Sequence, residues 1–298
     1  MDFLETLING LSIGGIYAMI AIGYTMVYGI AKMLNFAHGD IIMVGAYTIL
    51  VFVPVNPVVA IIAGIVFCAV LGIVIESIAY KPLRGASPLA VLITAIGVSY
   101  LLQSLAQIIA GPLTSLTNLF ELLFPKFIES HRGGVISIGE FSIKLSTVIT
   151  LICTVLVMVG LTLFVKRTKV GRAMVAVSED RGAAQLMGIN VNFIIMITFA
   201  IGSALAALAS TLMLLDGQKF TVNMGSLPGI KAFTAAVIGG IGSIPGAMLG
   251  GIVLGLVECF AQMFGLGEYT VAIEFSLLII VLLVKPTGIL GKKRREKV

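Results

Sequence analysis

The stretch "GGIGSIPGAMLGG", Gly239 to Gly251, decides the fold of this chain. Two apolar runs, Leu227–Ser243 and Gly246–Phe264, meet within it. Read as one long helix they cross a membrane once; read as two they reverse the chain. Pro245 has no backbone N–H and crowds the preceding turn, and the glycines around it accept backbone angles that other residues avoid. The local chemistry therefore favours a break.

That a membrane is involved follows from composition. The 298 residues are 59% hydrophobic and 11% charged, with mean hydropathy +1.13. A soluble domain carries about 25% charged residues, so this chain has less than half the usual share. No polar block is long enough for a soluble domain. A spanning helix needs about 20 mostly apolar residues. The candidates are Leu7–Ile30, Ile41–Val53, Pro57–Ala79, Leu89–Ala110, Leu145–Val165, Phe193–Leu215, Leu227–Ser243, Gly246–Phe264 and Thr270–Val284. Ile41–Val53 and Leu227–Ser243 are short for a full crossing and read as half-helices or re-entrant segments. Strands are not expected in the spans, because open sheet edges cannot face lipid.

Charge sets the orientation. Lys32, Lys81, Arg84, Lys166, Arg167, Lys169, Arg172, Arg181 and the basic residues of the tail "KPTGILGKKRREKV" account for 14 of the 19 Lys and Arg. With these in the cytoplasm, only Lys126, Arg132, Lys144, Lys219 and Lys231 remain outside, a strong positive-inside bias. The N-terminus is then external and the C-terminus cytoplasmic, so the number of crossings is odd. A single helix from Leu227 to Phe264 would put the basic tail outside, so Gly239–Gly251 must reverse or break the chain. The expected fold is an all-α polytopic membrane protein of eight to nine transmembrane or half-membrane helices. It forms one transmembrane domain over residues 1–298, with an external loop over about 111–144, a cytoplasmic loop over about 166–192 and a basic cytoplasmic tail over 285–298.

Several function classes drop out. The net charge of +5 sits in short loops between spans, which is a topology signal and not a nucleic-acid patch. There is no G-x-x-x-x-G-K-[ST] loop for ATP, no H-E-x-x-H and no G-x-S-x-G. Cys68, Cys153 and Cys259 lie in apolar runs without C-x-x-C spacing and read as small buried hydrophobes. The acidic start "MDFLETLING" does not read as a signal peptide, and no cofactor or metal is called for. Gly10 and Gly14, Gly242, Gly246 and Gly250, and Gly251 and Gly255 repeat a G-x-x-x-G spacing that lets membrane helices approach closely.

Two polar regions stand out. The first is "KRTKVGRAMVAVSEDRGAAQLMGIN", Lys166–Asn190. Its leading basic residues read as anchors at a helix end. Ser178 is placed to cap a short helix, Glu179 and Asp180 to sit in its first turn, and Gly188 to end it. A helix of about nine residues, roughly 14 Å long, is too short to span or to stand alone in water. It needs a partner. The second region is "NFAHGD", Asn35–Asp40. Two readings stand: a helix break whose Asn35, His38, Gly39 and Asp40 line a cavity, or a cytoplasmic turn in which Asp40 caps the next helix. Gly240, Gly242, Ser243 and Pro245 form the counterpart break in the second half, the pattern of an internal repeat around a central path. Glu76 lies beside Lys81 and Arg84 and reads as paired or snorkelled, whereas Glu258 and Glu274 fall deeper in the apolar pattern, each facing a subunit seam or a wet cavity.

Four segments resemble one family: Ile22–Tyr47, Gly171–Asn190, Gly229–Gly251 and "PTGILG", Pro286–Gly291. Together they make the chain similar to the H-type permease subunits of the Liv system, in bacterial high-affinity branched-chain amino-acid ABC importers. The resemblance implies a complex of two permease subunits, paralogous or identical, two cytoplasmic ATPase subunits and an extracytoplasmic binding protein, held in the plasma membrane. It implies no catalysis in this chain. It also implies that Val177–Gly188 is the helix that docks on an ATPase, with Ser178, Glu179, Asp180, Arg181, Ala184, Leu186 and Gly188 in the contact. The external loop is then the expected floor for the binding protein. Related importers carry other amino acids, urea or short amides, so the substrate stays open, and an ion-coupled transporter or channel is the competing class.

Overall fold

The structure is a computed structural model that describes residues 3–130, 135–138 and 141–291, with side chains between 110 and 143 left aside. Arg132 and the basic residues beyond Gly291 lie outside it. Eleven α-helices account for most of the described residues: α1 Phe3–Ala31, α2 His38–Phe52, α3 Pro57–Ile75, α4 Pro88–Ser130, α5 Leu145–Arg167, α6 Lys169–Glu179, α7 Arg181–Leu186, α8 Val191–Leu215, α9 Ser226–Gly239, α10 Ile244–Met263 and α11 Thr270–Val284. A π-helical turn, Glu76–Tyr80, prolongs α3. Among the described residues, seven helical segments are long and apolar enough to cross a membrane, and α2 and α9 are the two short apolar ones. The chain passes through both short helices, so its ends lie on opposite sides, as the charge pattern requires.

One expected loop is helical. The segment expected as external loop from 111 continues α4 to Ser130. It is followed by a two-stranded antiparallel hairpin, β1 Val135–Ile138 and β2 Phe141–Lys144, with Val135 opposite Lys144. The hairpin falls between spans, where a sheet edge can meet water, so it does not conflict with the rule for strands in lipid.

The helices pack as two inverted sets of four. α1 packs on α10 and α8; α8 packs on α3 and α1. α2 packs on α3, α8 and α4; α9 packs on α10, α1 and α11. Exchanging α1 with α8, α2 with α9, α3 with α10 and α4 with α11 leaves this pattern unchanged. The two sets start from opposite sides of the membrane, which is the inverted repeat of many transporters. The repeat corrects one expectation. The link before α9, residues 216–225, is the counterpart of the link before α2. The Gly240–Ser243 turn instead matches the α2–α3 connection.

The short helices begin deep in the protein. A Cβ on Gly23 would fall 2.7 Å from His38 Nε2, so the start of α2 is level with Gly23. Gly23 lies eight residues, about 12 Å, above the inner end of α1. Gly39 packs against Gly225 and Gly229, so α9 begins at the same depth. From there α2 runs outward and α9 inward, each about 21–23 Å long at 1.5 Å per residue against a core of about 30 Å. They are half-helices whose N-termini meet inside the bundle.

Backbones touch along the main seam. Gly251 packs on Ala18, Gly255 on Gly10 and Gly14, and a Cβ on Gly14 would stand 2.7 Å from Ile252 Cα. Lipid gives no hydrophobic drive for association, so this close van der Waals fit is what holds α1 to α10. The G-x-x-x-G spacing therefore serves packing within the subunit here.

Candidate functional site

The cytoplasmic loop is built in three steps. Thr168 ends α5 and caps α6, its hydroxyl accepting from Gly171 N at 2.9 Å. Gly171 lies against the Phe164 and Val165 backbone, too close for any side chain. Met174 and Val177, one turn apart, bury the inner face of α6 in the hydrophobic core. This amphipathic helix was missed in the sequence, and it moves the cap. Ser178 lies inside α6, its hydroxyl donating back to Val175 O at 2.7 Å, as mid-helix serines do. Glu179 is the last residue of α6 and does not sit in a first turn. Asp180 is the N-cap of α7, its Oδ1 accepting from Ala183 N at 3.0 Å.

Gly188 ends α7 as expected. With φ of +80° it lets Ile189 N reach Ala184 O and Gly188 N reach Gln185 O, both at 3.0 Å. This is a Schellman closure, and φ in that range favours glycine. α7 is thus six residues long rather than nine. Ala184 is buried beneath it, while Leu186 is 90% and Met187 83% exposed. Two large apolar side chains form a prong facing water. At the other end, Arg181 donates to Ile30 O at 3.1 Å and to Ala31 O. The guanidinium therefore satisfies the last carbonyls of α1. Burial, and then the nearby Arg84, pull the Arg181 pKa below its usual value. Arg84 itself pairs with Glu76, as expected for Glu76, and donates to Asn192 at the start of α8.

The Asn35–Asp40 break is internal, not a cytoplasmic turn. Asn35 Oδ1 accepts from Tyr80 hydroxyl at 2.9 Å. α2 starts at His38 with Ala37 as its cap, so Asp40 is no cap. Its Oδ1 instead accepts from Gln103 Nε2 of α4 at 2.8 Å. His38 stacks edge-on against Tyr24 at 4.6 Å, and its Nε2 has no hydrogen-bond partner among the described residues. Gly240, Gly242, Ser243 and Pro245 are not brought to this place. They form a tight turn at the cytoplasmic end of α9. Gly240 and Gly242 have φ of +105° and +98°, Ser243 Oγ accepts from Gly246 N at 3.2 Å, and Pro245 sits in the first turn of α10. "PTGILG" closes that end: Ile289 N donates to Ile238 O and Leu290 N to Gly239 O, satisfying carbonyls that the helix end leaves open.

A polar cluster joins Glu258 and Glu274, read as deep in the sequence, to a lysine that was not. Lys231, expected on the outer surface, is buried in α9. Its Nζ lies 2.9 Å from Glu258 Oε2 of α10 and 3.1 Å from Glu274 Oε1 of α11. Tyr17 of α1 donates to Glu258 Oε2 at 2.7 Å. Each half-helix thus carries a buried ionisable residue tied to the fourth helix of its set: Asp40 to Gln103, Lys231 to Glu274. The available signal was three ionisable residues of opposite sign inside apolar runs.

Residues 6–282 match the family model described as "Branched-chain amino acid transport system / permease component". The chain belongs to this family. It is 46% identical to the high-affinity branched-chain amino acid transport system permease protein BraD of Pseudomonas aeruginosa, over 99% of this chain and 98% of that one. It is 41% identical to the corresponding permease protein LivH of Escherichia coli, again over 99% and 98%. The resemblance drawn from the four sequence segments is thereby upheld. The chain is a multi-pass inner-membrane permease, and the matched span takes in all the helices described above except the first three residues of α1 and the last two of α11.

Proposed function

We propose that this chain is the membrane subunit of an ATP-binding-cassette importer and forms, with a second permease subunit, the path for branched-chain amino acids. The observation that carries the reading is α7. It is capped at both ends, rooted on α1 and α8, and presents Leu186 and Met187 to the cytoplasm. An exposed apolar pair on a short rigid helix fits a groove in a soluble partner. Two cytoplasmic ATPase subunits are the partners proposed for it. ATP is hydrolysed there, since this chain has no phosphate-binding loop, and an extracytoplasmic binding protein delivers substrate. The whole chain acts as one permease domain, with Asp180, Arg181, Ala184, Leu186 and Gly188 shaping the contact and Glu179 and Ser178 on its flank. The substrate assignment is supported by relatives at 41–46% identity that are permease proteins of branched-chain amino acid transport systems.

Reconstitution into liposomes tests this. Vesicles carrying the permease pair, ATPase subunits and binding protein should take up labelled leucine only with ATP. Urea or a short amide in its place would redirect the substrate. Uptake driven by a proton gradient without ATP would replace the reading with a secondary transporter.

A further inference from the structure

α4 is among the least embedded of the spanning helices, and its outward surface is divided. Val91, Ala95, Leu102 and Ala106 turn to the bundle. At 100° per residue, Leu101, Leu105 and Ile108 fall on one flank, 58%, 47% and 74% exposed. That flank suits lipid. The face turned directly away from the bundle carries Tyr100, 66% exposed, with Ser104 and Gln107 also exposed, and nearer Pro88 on the same stripe the apolar Leu89, Ile93 and Ile96. Beside them, half-buried Gln103 donates to Ser99 Oγ at 3.3 Å and to Asp40. Tyr100 and Ser104 lie about 18–24 Å along the helix from Pro88, well inside a hydrocarbon core of about 30 Å. Hydroxyl and amide groups facing hydrocarbon have no partner there and are costly.

The repeat supplies a control. α11 holds the same place in the second set of helices. Its outward side chains, Ile279, Ile280 and Leu283 among them, are apolar apart from Ser276. The polar flank of α4 is therefore not a demand of the packing. The flank carries no formal charge, which fits a solute of zero net charge with polar groups at one end.

We propose that the Tyr100–Ser104–Gln107 flank of α4 lines the water-filled substrate path, facing the second permease subunit across it. There its neutral amide and hydroxyl groups hydrogen-bond the ammonium and carboxylate of a passing amino acid. The proposal rests on the importer reading above and assigns residues to its path. Through Gln103 and Asp40 the same flank is tied to the inner end of half-helix α2.

The test uses the complete transporter in membranes, with Cys68, Cys153 and Cys259 replaced. Single cysteines are placed at Ser104, Gln107 and, on the other flank, Leu105. A charged, membrane-impermeant thiol reagent should modify Ser104→Cys and Gln107→Cys, abolish their uptake, and be slowed by leucine-loaded binding protein. Leu105→Cys should stay unmodified. Equal inertness at all three positions overturns the proposal. So does modification without loss of uptake, or subunit cross-linking at Ser104→Cys without reagent access, which would mean a dry interface. Leucine uptake by the unmodified variants is read separately: its absence with ATP and binding protein present counts against the importer reading, while the labelling pattern still decides the role of α4.

Discussion

Lys231 and Glu274 meet inside the protein, Nζ to Oε1 at 3.1 Å, with both side chains almost wholly buried. Glu258 adds a second carboxylate 2.9 Å from the same ammonium. Removing one partner of a buried pair strands the other, which costs about 3–5 kcal/mol in soluble proteins. Lys231→Met should therefore lower the thermal unfolding midpoint in detergent sharply. Adding Glu274→Gln to it should recover part of the loss, and a double variant no more stable than Lys231→Met would show that the pair is not energetically coupled.

The cap assignment separates two neighbouring residues. Asp180→Ala removes the bond to Ala183 N, a change of about 0.5–2 kcal/mol for an N-cap. Ser178→Ala removes only a mid-helix bond to Val175 O. ATP-driven uptake at matched expression should fall in the first variant and hold in the second. The reverse order would restore Ser178 as the cap.

The prong is tested by charge. Leu186→Glu with Met187→Glu should insert normally, because both positions face water. Co-purification of the ATPase and ATP-driven uptake should be lost together. Gly188→Val should act alike by straining φ of +80°. Retained ATPase binding by both would remove α7 from the docking surface.

Glycines along α1 and α10 are expected to be intolerant in a graded way. Gly255→Val drives a side chain into the Gly14 backbone, whereas Gly97→Ala meets nothing within 4 Å. Monodisperse protein after extraction should disappear in the first case and match the parent in the second.

Sidedness has its own check. In intact cells, a cysteine replacing Gly182 should resist an impermeant thiol reagent and one replacing Ser130 should react. Labelling at Gly182 from outside would put α7 on the wrong face for any ATPase.

Spans and orientation were legible because hydropathy and loop charge act locally and leave marks in every segment. The Gly188 stop was legible for the same reason, since a Schellman closure is read from one residue and its neighbours. The Ser178 cap was misplaced because the burial of Met174 and Val177, which extends α6, depends on the core they meet. The depth of His38 and Asp40 was hidden likewise: it depends on Gly23 and Gln103, distant in sequence. The segment after 111 looked like a loop because it is less apolar than the span before it, yet a helix that leaves the membrane needs no apolar surface to continue. Lys231 was counted as an outer basic residue because a lone lysine carries no sign of the carboxylates that will surround it.

The grip of Arg181 on the end of α1 has a mechanical meaning. A load applied at Leu186 has no soft element to absorb it: α7 is closed at both ends, and its root is bonded to the last carbonyls of the most enclosed span in the bundle. α1 in turn touches α10 backbone to backbone at Gly14, Ala18, Gly251 and Gly255, where no long side chain can take up slack. Displacement at the cytoplasmic surface should then reach Tyr17, and through it Glu258, as translation of a stiff rod rather than as local bending. Under the proposed docking at α7, motion enters the protein from one end.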